Sequence, residues 1–311
     1  MKTVFPQGVK RSHQIFKQVN RYKYLYIMLL LPLVQYVIFR YAPLTGLQVA
    51  FKDFNIFKGM WKSNWVGISV FREVFSNIKF WHALKNTVIL NGLDLIFGFP
   101  IPILLAILLN EVRSLRFRRF AQTVLYLPHF LSWIIIGGII NQIFSSTGII
   151  NTLVHSISGQ NINFLMQESN WVAVYTGVGI WQGAGWGTIV YLAAITGVNS
   201  ELYEAAEMDG CGRWKRVWHV TLPCIASTIV LMLILRLGQM ASIGFERPYV
   251  MSNNMVLNVS EVISTYVYKT GIQNARYSYA AAVGMFGSVV NMIFLLTANQ
   301  VAKGMGEDGL W

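Results

Sequence analysis

The stretch that organises the chain is residues 199–223, NSELYEAAEMDGCGRWKRVWHVTLP, a polar segment between two apolar runs. It holds four of the 13 carboxylates of the chain, Glu201, Glu204, Glu207 and Asp209. The pattern predicts two short helices joined at glycine, with Ser200 as the N-cap of the first. Gly210 and Gly212 predict a sharp turn between them, because glycine tolerates a positive φ.

Composition places this segment in an unusually apolar chain. The 311 residues are 54% hydrophobic and 12% charged, with a mean hydropathy of +0.48. An average soluble domain is roughly 25% charged. The apolar runs are unbroken rather than alternating, which excludes a β-barrel and predicts an all-α polytopic membrane protein. The net charge of +12 then indicates basic cytoplasmic loops and gives no support for a nucleic-acid partner.

Six apolar runs predict six transmembrane helices in the lipid bilayer. They cover residues 24–39 (extendable to 47), 83–109, 120–144, 171–198, 223–244 and 280–302. Residues 24–302 form the predicted transmembrane domain, between a basic tail at 1–23 and a short tail at 303–311. The first 23 residues are basic and lack the pattern of a cleavable signal peptide.

Charge predicts which side each connection lies on. Residues 145–170 contain no Lys or Arg, whereas the segments 1–23, 110–119, 199–222 and 303–311 contain 14 of the 25. By the positive-inside rule these four segments, and so both termini, are cytoplasmic. Residues 48–82 and 245–279 are then outer connections.

The polar segment also carries a family resemblance. Glu204-Ala205-Ala206, three residues, Gly210, nine residues, Val220, one residue and Leu222-Pro223 resemble the EAA loop of ABC importer permeases. Val220 stands where that family usually has Ile. In the family this loop is a coupling helix that docks on an ATPase subunit. The resemblance therefore implies an ATPase-coupling site, consisting of Glu204, Ala205, Ala206, Asp209, Gly210, Leu222 and Pro223.

Other segments resemble the LplB-type branch of carbohydrate permeases, which is similar to the maltose-type permeases. They are Asn86-Thr87, residues 99–102, 109–111, 126–130 and 261–268, and Leu310-Trp311. The resemblance implies a type I importer permease fold in a bacterial cell membrane. It implies as partners a second, homologous permease (a heterodimer is favoured), two copies of an ABC ATPase and an extracytoplasmic solute-binding protein. It also implies an oligosaccharide substrate.

No sequence motif indicates an enzyme. A phosphate-binding G-x-x-x-x-G-K-[ST] loop does not occur, so we expect ATP and Mg²⁺ on partner ATPase subunits and no cofactor on this chain. The five histidines and two cysteines show no metal-ligand spacing. No Ser-His-Asp or paired-carboxylate pattern supports a hydrolase or an interfacial lipid enzyme.

Polar and aromatic side chains inside the spans are candidates for the substrate pathway, because polar groups are costly in lipid. They are Asp94, Trp181, Gln182, Tyr191, Arg236, Gln239 and Asn291. Each has a structural alternative: an Asp94–Arg236 ion pair, interhelical hydrogen bonds, or aromatic packing. Gly183, Gly185 and Gly187 predict either close helix packing or a pore-lining kink.

The function that these patterns favour is a permease subunit that forms half of an oligosaccharide pore and couples to a separate ATPase through residues 199–222. Two alternatives remain open at this point. The first is an ABC permease for a non-sugar solute. The second is a stand-alone secondary transporter that uses Asp94 and Arg236 as ion relays, although the chain shows no internal repeat of the kind such transporters have.

Overall fold

The computed structural model describes residues 21–304, 306 and 309–310. Most of the predicted N-terminal tail and part of the C-terminal tail therefore lie outside the described residues. Four continuous helices are long and apolar enough to cross a membrane, and two bent helix pairs raise the number to six if each pair is one span. The six predicted spans are thus all present as helices.

The spans are numbered one to six in chain order. They comprise Lys23–Phe51, Ile78–Glu111, Leu115–Phe130 with Trp133–Ile143, Glu168–Thr196, Arg213–Cys224 with Ala226–Leu237, and Tyr277–Gly304. Most predicted boundaries differ from these by only a few residues. Span five differs most: its second helix ends at Leu237 instead of residue 244, and its first helix begins inside the polar segment.

Proline and π-helical turns interrupt the spans. Span two is α-helical over Ile78–Leu93, π-helical over Asp94–Gly98 and α-helical again over Pro100–Glu111. Pro100 has no backbone N–H to continue the regular ladder. In span three a 3₁₀ turn at Leu127–Phe130 contains Pro128 and precedes a bend of 100°. Span three is therefore broken close to Pro128.

Short elements fill the first two connections that are predicted to be outer. A two-stranded antiparallel sheet pairs Lys52–Asp53 with Asn64–Trp65, in the register Lys52 to Trp65 and Asp53 to Asn64. The helices of these connections are Gly59–Lys62, Ser69–Ser76 and Ile149–Ser158. The helix Ser69–Ser76 buries Val70 and Val74 in one core cluster with Phe80 of span two and Val283 of span six.

Residues 238–263, here called the inner segment, pack inside the bundle. The hydropathy pattern predicts span five up to residue 244 and an outer connection over residues 245–279, and the structure packs the part of that connection up to residue 263 against spans two and four. Met251, Val256 and Val262 are buried in one apolar cluster with Leu90 of span two and Trp171 of span four. The helical pieces of the whole connection are Glu246–Met251, Asn254–Val256, Leu257–Ser260, Ile263–Tyr268 and Lys269–Gln273.

Side chains of the spans hold the inner segment by its backbone. Asn91 Nδ2 donates to the carbonyls of Met240 (2.9 Å) and Ser242 (3.2 Å). Asn291 Oδ1 accepts from the backbone N–H of Ala241 at 2.8 Å. Farther along, Asn86, Thr87 and Trp171 bond to Asn258, Ile263 and Met251 respectively. Backbone groups between the short helices and near their ends thereby find hydrogen-bond partners on the spans, as a membrane-spanning bundle requires.

Span one is the least buried of the four continuous spans. None of the residues of its first helix, Lys23–Tyr36, is buried. Only its far end enters a core: Ala50 is fully buried in a cluster with Phe80, Ala83 and Val283. A third cluster, at the polar end of the bundle, joins spans two and four to Val217 and Ile225.

Candidate functional sites

The polar segment begins with the helix Ser200–Met208, whose N-cap is Asn199. Asn199 Oδ1 accepts from the backbone N–H of Glu201 at 3.1 Å, and Asn199 Nδ2 donates to the Glu201 carboxylate at 3.0 Å. The prediction of Ser200 as the cap is therefore wrong by one residue. The reason is that an Asx side chain one position earlier already satisfies the first free backbone donor.

A Schellman motif ends this helix. Cys211 N donates to Ala206 O at 2.9 Å and Gly210 N donates to Glu207 O at 3.0 Å. Gly210 has φ of +75°, in the left-handed region that favours glycine. Gly212 has φ of −68° and ψ of 166°, so the turn is confirmed at Gly210 and the prediction of positive φ at Gly212 is wrong.

Two side-chain contacts brace the helix Ser200–Met208 on the start of span five. Arg216 Nη1 donates to Glu207 Oε2 at 3.1 Å. The hydroxyl groups of Tyr203 and Thr221 lie 3.0 Å apart, and Thr221 is buried. The first half of span five consists of the helix Arg213–Arg216, the π turn Val217–Thr221 and Leu222–Cys224, and a bend of 62° separates it from Ala226–Leu237. The two contacts thus join the helix Ser200–Met208 directly to the first half of span five.

Most of the predicted coupling residues lie on the surface of this unit. Glu204, Ala205, Asp209, Gly210 and Pro223 are exposed, whereas Ala206 and Leu222 are half-buried. Large apolar side chains are exposed beside them, with 89% of Met208, 70% of Trp214 and 68% of Trp218 accessible. Carboxylates interleaved with exposed aromatic and aliphatic groups are typical of a surface that binds a protein partner.

Spans two to five and the inner segment line an open cavity of about 500 Å³, here called the polar cavity. Its lining includes four of the predicted pathway residues, Asp94, Gln182, Tyr191 and Arg236. Trp133, Trp186 and Arg247 also line it. Its volume is within the range of about 300–1,000 Å³ that is typical of ligand sites.

A charged cluster forms one wall of the polar cavity. Arg247 binds both oxygens of Asp94, with Nη1 to Oδ2 at 2.6 Å and Nη2 to Oδ1 at 3.2 Å. The same Nη2 donates to Tyr175 O at 2.6 Å, and the guanidinium lies 3.7 Å from the centre of the Tyr175 ring. Arg236 Nη2 lies 3.7 Å from Asp94 Oδ2. The expected pairing of Asp94 with Arg236 is thus present, but the closer partner is Arg247.

Glycines in span four make room for these neighbours. A Cβ on Gly179 would overlap the Arg247 guanidinium, and a Cβ on Gly185 would overlap the backbone carbonyl of Leu125 in span three. Gly187 faces Pro102 of span two at close range, whereas nothing lies within 4 Å of a Cβ on Gly183. Close helix packing is therefore confirmed at Gly185 and Gly187.

The remaining predicted pathway residues lie elsewhere. Trp181 lines a separate, almost wholly apolar cavity of about 530 Å³ beside Ile136 and Val178. Asn291 lines a cavity of about 220 Å³ against the inner segment. Gln239 is exposed, lines none of these cavities, and offers its carbonyl to Asn91 at 3.3 Å. The seven predicted residues thus do not form one site.

Sequence reasoning missed Arg247 and Asn91. Arg247 was not a candidate because it follows the fifth apolar run and a positively charged residue there is typical of a water-exposed loop. Asn91 is one of several amides in an apolar run, and nothing local distinguishes it from Asn86. One signal could have pointed to Arg247. Asp94 lies inside an apolar run, and a buried carboxylate requires a cation close to it. Arg247 lies close in sequence to span five, as Arg236 does, and was therefore a second candidate for that cation.

A bundle of spans around a polar cavity, with a braced and exposed helix at one end, defines a membrane transport subunit. The chain belongs to the family described as the binding-protein-dependent transport system inner membrane component, whose model matches residues 98–307. It is a non-catalytic permease subunit of an ABC importer with the type I permease fold and several membrane spans. The family match supports this function over a stand-alone secondary transporter.

Individual relatives agree with this assignment. The chain is 45% identical over 294 residues to Protein LplB of Bacillus subtilis (strain 168), covering 94% of this chain and 92% of the relative. It is 43% identical over 303 residues to the polygalacturonan/rhamnogalacturonan transport system permease protein YteP of the same organism, covering 97% and 94%.

A solved structure agrees as well. The crystal structure of a bacterial alginate ABC transporter in complex with an alginate pentasaccharide-bound periplasmic protein contains a chain that matches this one with a TM-score of 0.86. The sequence identity is 40%, and the match covers 96% of this chain and 100% of that one.

Proposed function

We propose that this chain forms half of the translocation pore for an oligosaccharide, and that residues 199–222 transmit the movement of a separate ATPase to the pore. The observation that carries the coupling half of the proposal is the brace between the helix Ser200–Met208 and span five. Arg216 and Thr221 both belong to the helix pair of span five, so a displacement of the polar helix moves that span.

The substrate class is supported by the relatives and by the cavity. YteP is named for polygalacturonan and rhamnogalacturonan transport, and another relative, AraP of Bacillus subtilis (strain 168), for arabinooligosaccharides. The polar cavity presents the rings of Trp133 and Trp186 and the amide of Gln182. Aromatic faces suit the C–H surfaces of sugar rings, and amides suit their hydroxyl groups.

The partners follow from the proposed mechanism. A second, homologous permease, in a heterodimer, completes the pore, and two copies of an ABC ATPase bind the exposed helices at its base. ATP and Mg²⁺ are bound by those ATPases, and a solute-binding protein delivers the sugar on the opposite side. In this arrangement both termini and residues 199–222 are cytoplasmic. The alginate transporter, solved in complex with its periplasmic protein, supports the solute-binding protein as a partner.

The test uses the complete transporter reconstituted in proteoliposomes with its binding protein. Glu204→Ala removes an exposed carboxylate from the docking surface, and Gly210→Ala opposes the φ of +75° that ends the helix. We expect both variants to assemble in the membrane but to import substrate poorly for each ATP hydrolysed. Gly212→Ala is the matched control, because Gly212 has an ordinary φ and open space around it.

Two measurements distinguish the outcomes: substrate uptake and ATP hydrolysis stimulated by the loaded binding protein. Normal uptake and normal stimulated hydrolysis in both Glu204→Ala and Gly210→Ala would refute the coupling role. An equal loss of substrate uptake per ATP hydrolysed in Gly212→Ala would show that the segment tolerates no substitution. It would also contradict the specific role of the Gly210 turn.

A further inference from the structure

A second group of polar and aromatic side chains lies where the inner segment faces span six. A cavity of about 220 Å³, here called the span-six cavity, is lined there by residues 241–243, the helix Ile263–Tyr268 and span six. It shares no lining residue with the polar cavity. Asn291, one of the predicted pathway residues, belongs to its lining. The span-six cavity is therefore a separate candidate for a binding site.

Small residues of span six leave the space for this cavity. Its lining includes Gly284, Gly287, Ser288 and Asn291, whose spacing of i, i+3, i+4 and i+7 places them on one face of the helix. A Cβ on Gly284 would meet nothing within 4 Å, and a Cβ on Gly287 would meet only the Ala241 carbonyl, at 3.9 Å. This face of span six thus stands back from the inner segment instead of packing tightly on it.

Uncharged hydrogen-bonding groups surround the space. The lining contains the hydroxyl groups of Ser242, Ser264 and Ser288 and the amide of Asn291, and none of its described residues is charged. Ser264 Oγ is buried and has no hydrogen-bond partner within the described part of the chain. A buried hydroxyl without a partner costs about 1–3 kcal/mol. A ligand that brings its own hydroxyl groups would remove that cost.

An aromatic cluster adjoins the span-six cavity. The ring centre of Phe245 lies 4.7 Å from that of Tyr249 and 4.8 Å from that of Tyr268, and the two tyrosine rings are 5.5 Å apart. Ser264 and Tyr268 are one helical turn apart on the helix Ile263–Tyr268, so they share a face. Tyr249 is 43% exposed, which leaves part of its surface open to a ligand.

The combination fits one ring of a sugar. Aromatic faces suit the C–H surface of a sugar ring, and hydroxyl and amide groups both donate to and accept from its hydroxyl groups. An ion is disfavoured, because the described lining offers it no opposite charge. A volume of about 220 Å³ is below the range of about 300–1,000 Å³ of complete ligand sites, which suits a single unit of a longer chain.

We propose that the span-six cavity and the aromatic cluster form a second sugar subsite. One sugar ring lies against the exposed face of Tyr249, and its hydroxyl groups bond to Ser264, Ser242 and Asn291. Recognition uses no charge, so the subsite takes neutral sugar units. This inference rests on the proposed function, oligosaccharide import, and adds to it a binding site outside the polar cavity.

The test measures binding of a β-1,4-linked galactose trisaccharide to the complete transporter in lipid nanodiscs, without the solute-binding protein. Tyr249→Ala removes the ring and Tyr249→Phe keeps it. Ser264→Ala removes the hydroxyl that has no partner. Phe57→Ala is the control, because it deletes an aromatic ring that is 96% exposed in the connection between spans one and two. Thermal unfolding of each variant is measured alongside binding.

We expect Tyr249→Ala to weaken trisaccharide binding about tenfold and Tyr249→Phe to retain most of it. Ser264→Ala should weaken binding by about 2- to 10-fold, as for one lost hydrogen bond. The same variant should unfold at an unchanged or higher temperature, since in the free protein its hydroxyl has no partner to lose. A purely structural serine would show the opposite: lower stability with unchanged binding. Phe57→Ala should bind as the unaltered transporter does.

Absence of trisaccharide binding to the unaltered transporter would overturn the inference. So would unchanged binding in both Tyr249→Ala and Ser264→Ala, whatever their stability. Oligosaccharide uptake in proteoliposomes separates these results from a failure of the proposed function. Normal import alongside either result would leave the proposed function standing without the second subsite. Absence of import of every oligosaccharide tested would refute the proposed function itself.

Discussion

At the scale of single residues, the Asp94–Arg247 contact is the most consequential polar interaction in the bundle. The two side chains are 9% and 12% exposed, and the pair joins span two to the inner segment. A buried charge that loses its partner is much more costly than the pair itself is stabilising. The structure therefore predicts unequal effects for the two arginines near Asp94.

Arg247→Gln is expected to destabilise the assembled transporter by about 3–5 kcal/mol, because Asp94 then keeps only the loose contact with Arg236. Arg236→Gln, which leaves the bidentate pair intact, is expected to cost about 1 kcal/mol or less. Thermal unfolding of the detergent-solubilised complex measures both. Equal losses in the two variants would contradict the assignment of Arg247 as the principal partner.

Gly185 gives a second prediction at this scale. A Cβ there would overlap the Leu125 carbonyl, which is backbone and cannot turn aside. Gly185→Ala should destabilise the complex by roughly 1–3 kcal/mol or more through overpacking. Gly183→Ala is the matched control two residues away, since its Cβ would meet nothing within 4 Å. If both alanine variants unfold at the same temperature, spans three and four do not cross as closely as described.

At the scale of elements, the inner segment depends on polar side chains of the spans rather than on regular secondary structure. Asn91 is its central anchor, with one amide shared among the carbonyls of Gln239, Met240 and Ser242. Asn91→Leu keeps the volume but removes the donor and leaves buried carbonyls without a partner, at a cost of about 1–3 kcal/mol.

The expected result of Asn91→Leu is a loosened stretch around residues 239–242, seen as faster amide hydrogen exchange there than in the fourth span. Gln300→Leu, at an exposed position of span six, serves as the control and should leave that exchange unchanged. Unaltered exchange in Asn91→Leu would mean that the buried apolar contacts of Met240 and Ala241 alone hold the segment.

The elements themselves could largely be predicted from the sequence, and the reason is physical. Long apolar runs indicate contact with lipid directly, so the boundaries of most spans, though not of span five, were predicted to within a few residues. The turn at Gly210 was also predictable, because its signal is local. Arg247 could not be placed, since its partner Asp94 is distant in the chain and the residue types around it also suit an exposed loop. A contact between two residues that are distant in the chain produces no periodic pattern in the sequence.

At the scale of the whole molecule, the proposed orientation gives a test that uses the two native cysteines, Cys211 and Cys224. With Cys224 replaced by serine, a membrane-impermeant maleimide should label Cys211 in inverted vesicles only. In a cysteine-free background, Ser158→Cys at the end of the helix Ile149–Ser158 should be labelled in right-side-out vesicles only. Labelling of both positions from one side would refute the six-span arrangement.

The Asp94–Arg247 pair also has a consequence for biosynthesis. Its two members are 153 residues apart. At roughly 5–20 residues per second, the ribosome delivers Arg247 about 8–30 s after Asp94. Span two must therefore enter the bilayer with its carboxylate unpaired, against an insertion cost of about 2.5–3.5 kcal/mol. Span two is the most hydrophobic of the four continuous spans, which offsets that cost until the inner segment with Arg247 arrives.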